Sequence, residues 1–285
     1  MGDEKMLNAL TIDLEEWFCV SNFEKIIRRE DWDSLESRIE MQTEQILELL
    51  NRLEVKATFF ILGWVAERHP TLIRRVAEAG HEIACHGYAH RLIYDMSPDE
   101  FRDDLRRGLD VIGETSGQIC RGYRATSFSI RRDMQWTWDV LHENGITYDS
   151  SIFPVLHHRY GEPDAPRDIF EIETATGTLL ELPLPTIRLK GRNLPVAGGG
   201  YLRLYPLALT TWAIRRINRE GISAIIYIHP WEVDPDQPKP DVSKLVLTRH
   251  RIGMGTVLRK MERLMNSFEF STVAEVLDRR SGVEM

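Results

Sequence analysis

His86 and His90 lie just past the run His81-Glu-Ile-Ala-Cys85, separated by Gly-Tyr-Ala. Two imidazoles four residues apart at the end of a strand can close on one divalent ion and leave places for a carboxylate and a water. The competing explanation is a solvated loop that happens to carry two histidines, so further ligands must decide. Asp13 and Glu15 can supply them. In a strand over Leu7–Leu14, alternation puts both carboxylates on one face, about 6–7 Å apart along the backbone. One can bind the ion while the other acts as a base on a water that the ion acidifies. Glu16 falls on the opposite face.

Two more segments carry suitable groups. Arg124 sits in the stretch Gly122–Ile130, otherwise small or apolar. A buried arginine needs a carboxylate partner, and Asp13 is one. Arg121, Arg131 and Arg132 read as surface residues. His229 ends the apolar run Ala224–Ile228 and precedes Pro230-Trp231-Glu232. At the C-terminal end of a parallel strand it is placed to act as a general acid for a leaving amine. His157-His158 is a poorer pair, since adjacent residues seldom share one ion. Trp136 and Trp138 read as packing for their helix. Gly198-Gly-Gly-Tyr201 lacks the lysine and spacing of a phosphate-binding loop and reads as a flexible or close-packed loop at a groove. Tyr201 and Trp231 can stack on sugar rings.

The elements that must position these residues follow from periodicity. Leu7–Leu14 alternates, with Leu10, Ile12 and Leu14 on one face and Thr11, Asp13 and Glu15 on the other. Asp33–Leu53 has helical spacing, and Ala57–Gly63 is an apolar strand of the kind covered on both faces. Pro70 opens a helix that Gly80 closes. Ser97-Pro-Asp-Glu100 is a capping box that starts a helix running to about Gly113. The expected order continues with a strand over Gly122–Ile130, a helix over Met134–Asn144 and a strand over Ile146–Asp149. Such alternation argues a parallel α/β sheet. Proline and glycine are frequent from Phe153 to Gly200, where a single strand, Thr178–Leu184, is expected among long loops. Beyond it come a helix at Pro206–Arg219, a strand at Ser223–His229, helix over most of Arg249–Phe268, and two short closing elements.

Bulk properties bound the function. The chain has 285 residues, 42% hydrophobic and 28% charged, with formal charge −8. Nothing is basic enough to track a phosphate backbone, which argues against nucleic acid as partner. The longest apolar runs are strand-length, so no transmembrane segment is expected. The charged start Met-Gly-Asp-Glu-Lys has no apolar stretch behind it, so no signal peptide is expected. Cys19, Cys85 and Cys120 are too few and scattered for a disulfide framework and read as buried thiols. A cytoplasmic location, at the inner face of the membrane, fits these features.

Taken in order, Thr11-Ile-Asp13-Leu-Glu15, Ala57-Thr-Phe-Phe60, His86-x-x-x-His90, Arg124-Ala-Thr-Ser127 and Tyr227-Ile-His229 resemble the motifs of polysaccharide deacetylases, the NodB-homology group of carbohydrate esterase family four. The stretches Phe59–Arg68, Tyr148–Pro154, Gly191–Tyr201 and His229–Glu232 are similar to the subgroup associated with exosortase-linked exopolysaccharide gene clusters. The likeness runs from Leu7 to Leu277. It implies an α/β fold: a distorted, seven-stranded (β/α) barrel over 7–230 with a loop-rich insertion at 153–204. A C-terminal extension, 231–285, packs on it within one domain. It also implies a divalent metal, zinc first, with cobalt, nickel or manganese as alternatives. The implied reaction removes N-acetyl groups from an amino-sugar unit of a glycan or a lipid-linked sugar. In it, water on the metal attacks the amide after Asp13 takes its proton, and His229 protonates the leaving amine. Transferred residue by residue, Glu15, His86 and His90 are the metal ligands, Arg124 tethers the base, and Tyr201, Trp231 and Ser127 contact substrate.

Three departures from the family pattern bear on this. Leu14 stands where a second, adjacent aspartate is usual, so Asp13 and Glu15 can exchange roles. Thr126 replaces a proline next to the oxyanion-binding backbone. Tyr227 replaces a leucine of the acetyl pocket. Alternative expectations are hydrolysis of a small non-sugar amide, as in relatives resembling allantoinases and formamide deformylases, and a catalytically inactive glycan-binding relative.

Overall fold

A computed structural model describes residues 6–282 except 22, 158 and 197. His158 of the expected His157-His158 pair lies outside the described residues. The strands are β1 (Leu7–Leu14), β2 (Thr58–Ile61), β3 (Glu82–Cys85), β4 (Gly122–Tyr123), β5 (Tyr148–Asp149), β6 (Phe170–Thr174), β7 (Gly177–Glu181), β8 (Thr186–Leu189), β9 (Arg192–Pro195), β10 (Ile225–Ile228) and β11 (Glu269–Ser271). The helices are α1 (Ile39–Arg52), α2 (Gly63–Arg68), α3 (Pro70–Glu78), α4 (Pro98–Ser116), α5 (Gln135–Glu143), α6 (Gly199–Leu204), α7 (Leu207–Arg219), α8 (Lys244–Arg251), α9 (Val257–Met265) and α10 (Val273–Ser281).

Parallel pairing runs β10-β1-β2-β3-β4-β5-β7, with β6 antiparallel at the edge and β11 parallel to β1. Eight parallel strands and one antiparallel strand thus form a nine-stranded α/β sheet, two more strands than the seven expected. Among the described residues no hydrogen-bonded pair joins β6 to β10, so no ladder closes the ring. The sheet nevertheless curls. Arg124, just past β4, hydrogen-bonds Thr11 and Asp13 on β1, three strands away, a span of about 14 Å if the sheet were flat.

Alternation along each strand divides the core in two. Leu10, Ile12 and Leu14 of β1 join the large cluster under the helices. Leu7 and Ala9 face inward with Phe60, Ala84, Tyr148, Leu182 and Ile225. Val273 and Val276 of α10 complete that inner cluster and plug one end of the curl. Polar groups stand at the other end, where the strands finish.

Several expectations shift. The strand expected over Gly122–Ile130 is only two residues long. The chain turns after it into a 3-10 segment, Thr126–Phe128, with Ser127 and Phe128 at φ 51° and 54°. α1 starts at Ile39, not near Asp33, because Glu16 draws the preceding segment away from helix by accepting from the Ser37 hydroxyl and the Arg38 N–H. Residues 153–204 hold two hairpins, β6–β7 and β8–β9, and β7 is a full member of the sheet. The helix expected over most of Arg249–Phe268 breaks at Gly253, whose φ is 79°. The capping box at Ser97 and Glu100 forms as expected, and α4 continues to Ser116.

Candidate metal and catalytic centre

β3 delivers His86, which is 2% exposed, to the polar end of the sheet. Its Nδ1–H donates to the Arg124 carbonyl at 2.7 Å, which leaves Nε2 as the free lone pair. The loop that follows is held by Asp104 of α4, whose carboxylate accepts the N–H groups of Tyr88 (2.7 Å) and Ala89 (3.1 Å). That grip sets His90 in the left-handed region, φ 50°. His90 Nε2 lies 2.6 Å from Glu15 Oε2, and His86 Nε2 lies 3.9 Å from the same oxygen.

Glu15, His86 and His90 form the one group of three ligating side chains found among the described residues, with ligand atoms all within 4.8 Å of each other. One carboxylate and two imidazoles, one of them oriented by a carbonyl, suit a divalent ion that keeps an open position. Glu15 also accepts from the Trp231 indole N–H at 3.2 Å. Burial works to raise the Glu15 carboxyl, but His90, with His229 and His86, outweighs it and holds the group at about 2. Burial pushes His86 down to about 4, against the pull of Asp13 and Glu15. Glu15 is therefore a carboxylate and His86 a neutral imidazole near pH 7, the ligating form of each.

Asp13 stands apart from this trio. Its Oδ1 accepts from Arg124 at 2.6 Å, and Arg124 is completely buried. Every arm of that guanidinium is used. Nη1 also reaches the Thr11 hydroxyl at 2.8 Å, Nε the Ser150 carbonyl at 3.1 Å and Nη2 the Ser150 hydroxyl at 3.0 Å. Its carbon lies 4.1 Å from the Phe60 ring centre. Ser151 then accepts the Ala125 N–H and donates to Asp149. The second oxygen of Asp13 lies 3.9 Å from His229 Nε2.

His229 lies just past β10. Its Nδ1–H donates to Glu232 at 3.0 Å, so Nε2 faces Asp13 and Glu15. Glu232 is wholly buried and accepts from Arg203 of α6 at 2.6 Å. Burial would lower His229, but the bond to Glu232 and the charges of Glu15, Glu232 and Asp13 raise it to about 9. Trp231, 6% exposed, is stacked between His229 and His250 with centroids 4.9 and 4.8 Å away. Both its ring faces are therefore covered, and its N–H is what reaches the centre.

Two spaces adjoin the centre. A groove of about 380 Å³ touches His90 and Ser127 and runs past Arg91, Arg29 and Trp32. On the other side Phe128, Phe153, Val155, Leu184 and Tyr227 form an apolar cluster flanked by Tyr160 and Tyr201. The glycine-rich loop packs on this cluster. A Cβ on Gly198 would stand 2.0 Å from the Tyr227 ring. The structure thus brings together Asp13, Glu15, His86, His90, Arg124 and His229, with Ser127 on the groove and Tyr201 on the apolar wall. His157 stacks on Tyr160 at 3.9 Å. Sequence reasoning did not single out Glu232, Arg203, Asp104, Ser150 or Ser151.

Residues 32–148 match the family described as polysaccharide deacetylase. Residues 150–278 match a second family, described only as a domain of unknown function, DUF3473. The centre straddles both. His86, His90 and Arg124 fall within the deacetylase match, Arg203, His229 and Glu232 within the second, and Asp13 and Glu15 before either. A peptidoglycan-N-acetylglucosamine deacetylase of Bacillus cereus is 28% identical over 130 residues, 41% of this chain and 47% of its own. A chitooligosaccharide deacetylase of Rhizobium leguminosarum bv. trifolii is 33% identical over 99 residues, 35% of this chain and 43% of its own. The chain thus spans less than half the length of these two curated relatives. A solved structure of a Mycobacterium smegmatis protein assigned as a polysaccharide deacetylase is similar with a TM-score of 0.64 and 20% identity. That match covers 100% of this chain and 94% of the other, and it shows the shared fold.

Proposed function

We propose that this protein is a metal-dependent hydrolase that removes N-acetyl groups from an amino-sugar unit of a polysaccharide or of its biosynthetic intermediate. The observation that carries this reading is the meeting of three kinds of group at one end of the sheet: the Glu15–His86–His90 donor set, the Arg124-held carboxylate of Asp13, and His229. Glu15, His86 and His90 would hold a divalent ion, zinc by their donor types, and such an ion would supply Lewis-acid polarisation of the acyl carbonyl and of water. The free oxygen of Asp13 takes a proton from the attacking water. Arg124 fixes which oxygen is free. His229, protonated through neutral pH, gives its Nε2 proton to the departing nitrogen. Water and amide become acetate and amine, and the proton count closes between Asp13 and His229.

The groove past Arg91 and Trp32 gives a sugar chain a bed beside His90, and the apolar wall at Tyr227 suits a small acyl methyl. An exopolysaccharide substrate, carried on lipid at the cytoplasmic face, belongs to the same reading. Metal analysis of the purified protein together with acetate release from N-acetylated oligosaccharides tests it. One divalent ion per chain and released acetate are expected, and His86→Ala should lose both. An active His86→Ala protein without metal would overturn the reading. Turnover of small cyclic amides with no acetate from any glycan would move it to the other amide class.

A further inference from the structure

Helix α7 is amphipathic in an unusual sense. Thr210, Ala213, Ile214 and Ile217 face the core. The opposite stripe reads Ala208, Trp212, Arg215 and Arg219, spaced to share one face. Trp212 is 41% exposed and Leu209 39%, and Leu204, the last residue of α6, is 52% exposed. Arg263 of the neighbouring α9 joins Trp212, Arg215 and Arg219 around a shallow depression of about 480 Å³, and no acidic residue lines it.

The charges here are uncompensated. About half of the arginines of this acidic chain pair with a carboxylate, as Arg216 does with Glu220 at 3.4 Å. Among the described residues, Arg215, Arg219 and Arg263 make no ion pair, and the nearest aromatic partner of Arg215 is Phe268, 6.0 Å from its guanidinium carbon. A net charge of −8 makes such a local excess more notable. Guanidiniums bind phosphate well, and a tryptophan with leucines beside them matches the layer where headgroups meet acyl chains. A soluble anionic glycan would engage the arginines but has no use for exposed Leu204 and Leu209. The face is also a helix side, shallow and open, unlike the groove beside His90.

We infer that the outer face of α7, with Arg263 of α9, docks on an anionic phospholipid surface. No helix among the described residues is long and apolar enough to cross a membrane, so the contact is peripheral. The inference stands apart from the proposed reaction, because it is read by binding without turnover.

The test is co-sedimentation of the full chain with vesicles of phosphatidylcholine alone or mixed with phosphatidylglycerol. Binding to the mixed vesicles only, weakening as salt is raised, is expected. The triple variant Arg215→Glu, Arg219→Glu, Arg263→Glu should bind on the order of a hundredfold less. Trp212→Gln should weaken binding at every salt concentration, since its contribution is not ionic. All are surface changes, and unaltered circular dichroism and melting would show that the fold is kept. Equal binding to both vesicle types, no binding to either, or an unaffected triple variant would overturn the inference. Capture by soluble alginate without vesicle binding would assign the face to a polyanionic glycan instead.

Discussion

At the scale of single residues, the two carboxylates at the end of β1, Asp13 within it and Glu15 just past it, divide the work by their neighbours. Glu15 faces two imidazoles and Asp13 a guanidinium. Asp13→Asn should therefore keep the metal and lose about 100- to 10,000-fold in turnover, the usual worth of a general base. Glu15→Gln should lose the metal itself. Metal content measured beside activity separates the two, and the reverse pattern would exchange their roles. Glu232 makes a second distinction. It orients His229 through Nδ1, so Glu232→Gln should slow amide hydrolysis on the order of tenfold to a hundredfold. An aryl acetate leaves as a stable phenolate and needs little protonation, so its hydrolysis by Glu232→Gln should be nearly unchanged. An equal loss on both substrates would mean that Glu232 only supports the fold. The sequence made the six central residues legible because each is a polar group in or just beyond a strand-like segment. Glu232 was visible in His229-Pro-Trp-Glu232 as a carboxylate three residues beyond a strand end, the spacing of a capping box. Arg203 carried no such mark, since its partner is 29 residues away in a different element.

At the scale of elements, the glycine-rich loop and β10 are fitted to each other. Gly198 has φ 94°, and any side chain there would enter the Tyr227 ring. Gly198→Ala should destabilise by about 1–3 kcal/mol through overpacking and backbone strain. Adding Tyr227→Leu should recover the packing part, leaving only the cost of the positive φ. Denaturant unfolding of the single and double variants measures the coupling, and simple additivity would refute the fit. Element reading failed where burial and regular structure part company. Ala125, Thr126 and Phe128 are buried, so the run after β4 looks like strand, yet its backbone turns to place the Arg124 carbonyl on His86. The two hairpins of 153–204 were obscured by prolines and glycines. The alternation of Phe170-Glu-Ile-Glu-Thr174, followed by a turn at Ala175-Thr176, marked β6 and β7 all the same.

At the scale of the whole molecule, two buried histidines couple the fold to acid. His81, packed near Phe59 and accepting the Ala57 N–H, is held by burial at about 4. His250, stacked under Trp231, is held by burial and by Arg203 at about 3. Unfolded, each would titrate near 6.5. Their folded values are depressed, so the unfolded chain takes up more protons. Stability should be full above about pH 6.5 and fall as pH drops toward 4, by up to about 1.4 kcal/mol per pH unit for each proton. Melting temperature measured across that range checks it, and His81→Gln should flatten the fall. The parallel α/β architecture followed from the repeated strand and helix periodicity. The pairing of β1 with β10 and β11 could not follow from local pattern, because those partners lie more than 200 residues away.

That last pairing governs when the protein can become itself. During synthesis β1 emerges before the other strands and soon pairs its C-terminal half with β2, but the first half of that flank waits for residues 269–271 and the opposite flank for 225–228. Until they leave the ribosome, Asp13 and Glu15 lie on a half-paired strand, without His229 and without the α10 plug beneath them. Contacts of such long reach are slow to form and leave a sticky edge exposed meanwhile. Nascent chains of this protein should therefore lean on chaperones until β11 has emerged, because the segments that complete β1 are the last strands of its sheet to appear.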